Sequence, residues 1–169
     1  HGGHPEGDGL NHGNAPISTA TIPPVEILEA AYPVMFKRWA LRPDSGGPGW
    51  HRGGLGAIYE IELLEEQADV FLFGERGRFA PPGVLGGDAG ALNRFRLVHL
   101  DGREDTPPME SKWVGIKLAK GERVRLETPG GGGYGPVAER DKAAIARDVA
   151  GGYVTPEAAR KTYGFKGTA

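Results

Sequence analysis

The chain has 169 residues and is nearly balanced in charge, with 20 basic and 22 acidic side chains and a net charge of −2. The lack of a basic excess argues against nucleic-acid binding, and the lack of cysteine excludes disulfides, thiol nucleophiles and zinc–thiolate sites. The longest apolar runs are only a few residues, so no membrane span is expected. The 29 glycines and 14 prolines stand in clusters between apolar segments, which favours ordered, loop-rich structure over disorder.

The first residues predict an extended arm. Residues 1–24 are rich in Gly, Pro, Asn and His and show no hydrophobic period, so we expect an arm or loop that packs on a neighbour. The chain opens with His1 instead of methionine and has neither a basic nor an apolar leader, so no signal peptide is expected. These features favour a cytoplasmic chain that is the later part of a longer polypeptide.

Residues 25–136 are predicted to form a β-rich domain. Val25, Leu28 and Tyr32 share one helical face, so a short helical turn comes first. Ala57–Leu63 then alternates polar and apolar residues, as a half-buried strand does. Up to six strands are predicted, over residues 34–41, 57–63, 69–73, 94–100, 113–118 and 123–126. Turns such as Asp101-Gly102 join most of them, which predicts antiparallel sheets.

The last part of the chain, residues 137–169, changes to a helical period. One helix is predicted over residues 137–149, ended by Gly151-Gly152. A second short helix is predicted to begin with Thr155 as N-cap and Pro156 at its first position. The predicted fold class is therefore α+β, mainly antiparallel β-sheet with Gly/Pro-rich loops, an extended N-terminal arm and two C-terminal helices.

Two patterns resemble binding sites but also have structural explanations. The run over residues 130–135 satisfies G-x-G-x-x-G after a predicted strand, as a dinucleotide site requires. That site also needs a following parallel strand, and too little chain remains, so a structural glycine-rich turn is the alternative. His1, His4, Asp8 and His12 suit zinc or manganese, and hydrogen-bonded loop residues are the alternative.

The loop over residues 44–56 is the densest candidate site. Asp44, His51 and Arg52 supply an acid, an imidazole and a guanidinium between glycines whose backbone amides can face a ligand. These three are the predicted catalytic residues, with Arg52 as an anion or subunit contact. Ser45 with His51 and Asp44 suggests a hydrolase triad, although residues so close in sequence rarely reach one another. An Asp44–Arg52 pair that fixes the loop is the structural alternative.

Glu26 and Glu29 share a face of the first predicted helix. Two carboxylates on one face suit acid–base catalysis, and ordinary solvated helix charge is the alternative.

Three motifs together resemble the C-terminal part of the hydantoinase B/oxoprolinase family. They are the stretch from Asp44 to Gly56, the run from Thr128 to Gly135, and a tail containing Asp148, Val149, Gly152, Val154, Thr155, Glu157, Ala158, Tyr163 and Gly164. The resemblance extends from Asp8 to Phe165, nearly the whole chain. The family covers the B subunit of N-methylhydantoinases, the matching half of 5-oxoprolinase, and subunits of acetone and acetophenone carboxylases.

The resemblance implies part, or a small subunit, of an ATP-dependent cyclic-amide hydrolase or related ketone carboxylase. It implies as partners a hydantoinase A-type, ATP-binding subunit and the rest of the B-type subunit, with a small-molecule substrate and neither nucleic acid nor membrane. ATP and a divalent metal are implied for the complete complex, with the metal site in the family's N-terminal portion, so this chain is expected to bind neither and to be inactive alone. A non-catalytic β-rich assembly module of such a complex is the alternative.

Overall fold

The computed structural model describes residues 1–13, 22–109 and 111–167. Its elements in chain order are α1 (Val25–Ala31), β1 (Val34–Leu41), β2 (Ala57–Leu63), β3 (Gln67–Phe73), β4 (Arg94–Val98), β5 (Glu104–Asp105), β6 (Lys112–Ala119), β7 (Arg123–Glu127), a 3₁₀ turn (Val137–Glu139), α2 (Lys142–Ala150) and α3 (Pro156–Tyr163). Within these ranges no helix is both long and apolar enough to cross a membrane. Residues 14–21 of the predicted arm lie outside the described residues.

Two antiparallel sheets enclose the main core. The larger has the strand order β1-β2-β7-β4-β5, and β3 pairs with β6 in the smaller. Their facing sides bury Leu63 from β2, Phe95 and Leu97 from β4, and Ile116 and Leu118 from β6. These side chains meet because alternate residues of a strand point to the same face of a sheet. The fold confirms the expected α+β class with mainly antiparallel sheet.

The opposite face of the larger sheet is charged. Glu60 on β2 forms ion pairs with Arg123 and Arg125 on β7, and Arg125 also reaches Glu104 on β5. Arg125 is the register partner of Glu60, and opposite charges placed across neighbouring strands stabilise a sheet. The alternation that predicts β2 thus separates an apolar core face from a charged outer face.

Helix α1 lies against β1, the edge strand of the larger sheet. The Oε1 atom of Glu29 accepts a hydrogen bond of 2.7 Å from the backbone N–H of Phe36. This occupies one of the unpaired donors that an edge strand exposes. Glu29 is therefore an acceptor for a strand backbone donor in this fold, which differs from both roles considered for the Glu26 and Glu29 pair.

The expected helix over residues 137–149 is wrong in its first part. A 3₁₀ turn forms at Val137–Glu139, Arg140 takes an extended conformation with φ −61° and ψ 128°, and α2 starts only at Lys142. The break occurs because Asp141 is an N-cap, whose side chain accepts a hydrogen bond from the N–H of Ala144. The hydrophobic period alone does not reveal this cap.

The last helix forms as predicted. Thr155 caps α3 by accepting a hydrogen bond from Ala158 N–H, Pro156 occupies the first turn, and Gly164 ends the helix in the left-handed conformation at φ +62°. Ile145 of α2, Ala159 of α3, and Val154 just before α3 bury one another in a small second core. The short strand β5 was not predicted, because two residues are too few to show alternation.

Candidate functional site

Four glycine-rich segments pack side by side beyond the ends of the strands. We call residues 1–9, 45–56, 82–90 and 130–135 the glycine bundle. The last segment lies among the other three: Gly131 N–H donates to Gly54 O, Gly132 O accepts from Gly3 N–H, and Gly133 N–H donates to Asp88 O, each at 2.9 Å. The bundle is thus held by backbone hydrogen bonds between segments distant in sequence.

Glycine is required where these backbones touch. A Cβ atom on Gly131 would overlap the carbonyl oxygen of His1, and one on Gly133 would overlap that of Pro48. Four N–H groups of the G-x-G-x-x-G run, those of Gly131, Gly133, Tyr134 and Gly135, donate to neighbouring segments of the chain itself. In this structure the run therefore packs against other parts of the protein, as the alternative of a structural glycine-rich turn requires.

The loop over residues 44–56 is fixed at its start by two polar side chains. Ser45 is fully buried, donates to Arg42 O at 2.6 Å and accepts from Gly56 N–H at 3.0 Å. Asp44 has a left-handed backbone with φ +59° and its Oδ1 accepts from Thr155 N–H at 2.8 Å. Both side chains hold the loop in place, and the hydrogen bonds of Ser45 link it to backbone groups rather than to His51.

Three buried side chains, those of Arg52, Arg140 and Asp148, form a network with Asp8, which is partly exposed. Arg52 Nε lies 3.4 Å from Asp148 Oδ2, and Arg140 reaches the same oxygen at 2.6 Å. Arg140 also binds both oxygens of Asp8, at 2.8 and 2.7 Å. The Asp44–Arg52 pair, considered as the structural alternative, does not form, because Arg52 turns to Asp148 and Asp44 turns to the start of α3.

The network fixes the charge states of its members. Burial raises the pKa of Asp8, but hydrogen bonding and charge attraction from Arg140, with a further hydrogen bond from the Arg52 N–H, outweigh burial and hold that pKa below its usual range. Burial lowers the pKa of Arg140, and the two carboxylates more than offset this and raise it. Both groups therefore remain ionised near neutral pH. Arg140 Nε is buried with no hydrogen-bond partner in the described structure.

A cavity of 280 Å³ opens beside this network. Its walls come from the glycine bundle and from α2, and its lining residues are Gly7, Asp8, Trp50, His51, Arg140, Asp141, Ala144 and Arg147. The His51 backbone is held by paired hydrogen bonds with Tyr134 at 3.0 and 2.9 Å. The His51 ring lies 4.5 Å from the Trp50 ring, and its Nδ1 is 3.9 Å from Asp8 Oδ1.

Of the three predicted catalytic residues, His51 lines the cavity, whereas Asp44 and Arg52 hold the surrounding backbone. An imidazole beside a carboxylate is a pairing that general acid–base catalysis uses. Arg140 and Arg147 also line the cavity and were missed, because neither stands in a motif and the fold alone brings them to residues 7–8 and 50–51.

The N-terminal histidines and Asp8 have separate partners. His12 Nε2 hydrogen-bonds the hydroxyl of Tyr59, and burial lowers the pKa of His12. His4 Nδ1 accepts from Glu6 N–H at 3.3 Å, and Asp8 binds Arg140. In the described ranges no three His, Cys, Asp or Glu side chains are grouped so that they can hold a metal ion.

Comparison with known proteins places this architecture in a family. The family model for hydantoinase B/oxoprolinase matches residues 1–137. The chain is 40% identical over 148 residues to the caprolactamase subunit beta of Pseudomonas jessenii, covering 83% of this chain and 24% of that subunit. It is 36% identical over 110 residues to 5-oxoprolinase 1 of Arabidopsis thaliana, covering 65% of this chain and 8% of that protein.

Two solved structures share the fold. The crystal structure of ATP-dependent caprolactamase from Pseudomonas jessenii superposes with a TM-score of 0.74 at 36% identity, covering 83% of this chain and 24% of that one. Nucleotide-free acetone carboxylase superposes with a TM-score of 0.80 over 95% of this chain and 25% of that one, and at 22% identity this likeness shows the fold alone. The chain spans a quarter or less of each of these relatives. Since the family model matches most of its length, the chain belongs to the hydantoinase B/oxoprolinase family.

Proposed function

We propose that this chain is part, or a small subunit, of an ATP-dependent cyclic-amide hydrolase or related ketone carboxylase that acts with an ATP-binding A-type subunit in the cytoplasm. The observation that carries the proposal is the 40% identity to a subunit of caprolactamase, an enzyme whose name denotes a cyclic amide. The relationship to 5-oxoprolinase, named for another cyclic amide, points to the same class of substrate.

The proposed chemistry divides between two subunits. The A-type subunit transfers the terminal phosphoryl group of ATP to the amide or ketone oxygen and releases ADP, which activates the attached carbon. For a cyclic amide, water then adds to that carbon, the ring C–N bond breaks to free the amine, and a second water hydrolyses the acyl phosphate to carboxylate and phosphate. The B-type subunit then completes hydrolysis or carboxylation and keeps the reactive intermediate away from competing water. The rigid glycine bundle, with its few side chains, suits a wall that excludes water.

Asp44, His51 and Arg52 remain the proposed site residues, with different roles. His51 is the group that meets the substrate or the partner subunit, because its ring lines the cavity next to Trp50. Arg52 and Asp44 position the backbone that carries His51, through Asp148 and Thr155 respectively.

A divalent metal is proposed for the complete complex, but the residues that the structure describes in this chain do not fit one. Asp8 is occupied by Arg140, and His12 is bound to Tyr59, so the described N-terminal residues offer no shared set of ligands. No metal or nucleotide step is assigned to this chain.

The test uses the intact complex that contains this chain, with ATP and either caprolactam or 5-oxoproline. His51→Phe keeps the ring against Trp50 and removes both nitrogens, and His4→Phe is the matched control. If His51 transfers a proton, ATP-coupled turnover falls by on the order of 100-fold in His51→Phe and stays near wild type in the control. ATP-independent turnover, or none with any lactam or ketone, would refute the proposed function.

A second reading is the non-catalytic assembly module. It is favoured by two side chains of the 44–56 loop, Asp44 and Ser45, whose hydrogen bonds go to backbone groups and hold the loop in place. Under this reading His51→Phe keeps full turnover, and Arg52→Ala abolishes assembly as measured by native mass spectrometry. Loss of turnover in fully assembled His51→Phe excludes it.

A further inference from the structure

The smaller sheet carries apolar side chains on both of its faces. Inward, Ile116 and Leu118 of β6 fill the main core. Outward, Phe71 and Phe73 of β3 and Val114 of β6 are 71%, 86% and 74% exposed. A sheet face in contact with water is usually polar, so these three outward residues are unusual for a surface that stays bare.

The apolar surface continues into the neighbouring loops. Phe79 and Met109 are 73% and 63% exposed and line a 490 Å³ groove formed by residues 74–79 with 109, 111 and 112. Lys112 joins the groove to the sheet, since its Nζ lies 5.3 Å from the centre of the Phe73 ring. We call Phe71, Phe73, Phe79, Met109 and Val114 the aromatic face. Exposed apolar groups that cluster in this way mark interaction surfaces.

The rim of the groove is positive. Its described charged lining consists of three cations, Arg76, Arg78 and Lys112, and one carboxylate, Glu75. Lys112 pairs with Glu75 at 2.8 Å, which leaves two guanidinium groups in excess. Arg78 stacks over the Phe79 ring at 5.7 Å and has no carboxylate within ion-pair distance among the described residues. The surface that complements this rim is acidic around an apolar centre.

We propose that the aromatic face is covered by an acidic-rimmed apolar surface from the rest of a hydantoinase B-type subunit. The inference rests on the proposed function, since it takes this chain to work within such a subunit. The caprolactamase subunit has about three quarters of its length outside the region that matches this chain. The part of such a subunit outside the matching region is large enough to bury five apolar side chains. Arg76 and Arg78 favour an acidic surface on that part.

The two methionines of the chain provide a direct test. Met109 belongs to the aromatic face, whereas Met35 lies on β1 of the other sheet and is 41% exposed. Oxidation by hydrogen peroxide follows exposure of the sulfur, so an uncovered face makes Met109 the faster of the two. In the intact protein we expect Met109 to oxidise on the order of fivefold more slowly than Met35, measured by peptide mass spectrometry.

Two variants and one dilution series complete the experiment. Arg78→Glu places an anion opposite the acidic rim and should raise the Met109 rate to at least that of Met35, whereas Arg160→Glu on α3 should leave both rates unchanged. Equal or faster oxidation of Met109 in the unaltered intact protein would overturn the proposal. Protection that the 169-residue chain shows by itself and loses on dilution would also overturn it, since it identifies a second copy as the cover. ATP-coupled turnover measured on the same samples tests the proposed function separately.

Discussion

Arg140 is predicted to be the most important single side chain for the stability of the glycine bundle. It joins Asp8 of the first segment to Asp148 of α2 and donates at 3.0 Å to the carbonyl of Trp50. Arg140→Met preserves most of the side-chain volume and removes every one of these bonds. Asp148 then keeps only the 3.4 Å contact with Arg52.

The magnitude follows from the burial of the partners. Breaking a buried ion pair by removing one partner costs about 3–5 kcal/mol, because the remaining charge is left buried. Asp148 is buried, but the Asp8 side chain is 34% exposed and can be solvated. We therefore expect Arg140→Met to lower the free energy of unfolding by the low end of this range, about 3 kcal/mol. With a urea m-value of about 2 kcal/mol/M, the unfolding midpoint falls by about 1.5 M.

The assay is equilibrium urea unfolding of the 169-residue chain, followed by tryptophan fluorescence. Arg147→Met is the matched control, because Arg147 is an exposed arginine on α2 with no ion pair to any described residue, and a change there costs less than about 0.5 kcal/mol. If Arg140→Met also lies within about 0.5 kcal/mol of the unaltered chain, the network does not stabilise the fold and the reasoning is wrong.

Two further predictions concern the bundle and the strand turns. Gly131→Ala should lower the free energy of unfolding by about 2–3 kcal/mol in the same assay, because its Cβ would overlap the His1 carbonyl. Gly2→Ala is the control and should lower it far less, because its Cβ meets its nearest neighbouring atom at 3.4 Å. Equal losses in the two variants would contradict the packing. The carboxylates of Asp105 and then Glu122 accept hydrogen bonds from the His99 ring and raise the pKa of His99 above its ordinary 6.5. The stabilisation of the fold by protonated His99 is therefore complete below pH 6.5 and is lost as the pH rises through the raised pKa. His99→Gln should remove this part of the pH dependence of the free energy of unfolding, and an unchanged pH profile of that free energy would refute the prediction.

Local features of the fold could be predicted from the sequence. The alternation of Ala57–Leu63 is a property of seven consecutive residues, and it places one face in the core whatever the strand pairs with. The start of α3 is equally local, because Thr155 and Pro156 supply the cap and the first turn within two positions. Asp141 shows the limit of such reasoning. Asp, like Thr, is a favoured N-cap residue and caps α2, but the apolar period of the predicted helix runs across it.

The candidate site depends on contacts that the sequence does not display. Asp8 and Arg140 are neighbours only because the first segment of the bundle packs against the chain just before α2. The sequence singled out the 44–56 loop as a site, and in the structure His51 of that loop lines a cavity; its catalytic role stays a prediction. The roles of Asp44 and Arg52 in holding backbone could not be separated from a role in binding, since acids and guanidinium groups serve both.

The glycine bundle also determines when this chain can fold during synthesis. Its first segment, which contains Gly3, hydrogen-bonds to Gly132, so nearly the whole chain must leave the ribosome before that contact can form. At about 5–20 residues per second, the N-terminal segment waits on the order of ten seconds for its partner. Non-local contacts of this kind also slow folding itself, because a large loop must close before any bond is gained. Until then the first residues remain accessible to proteases and chaperones.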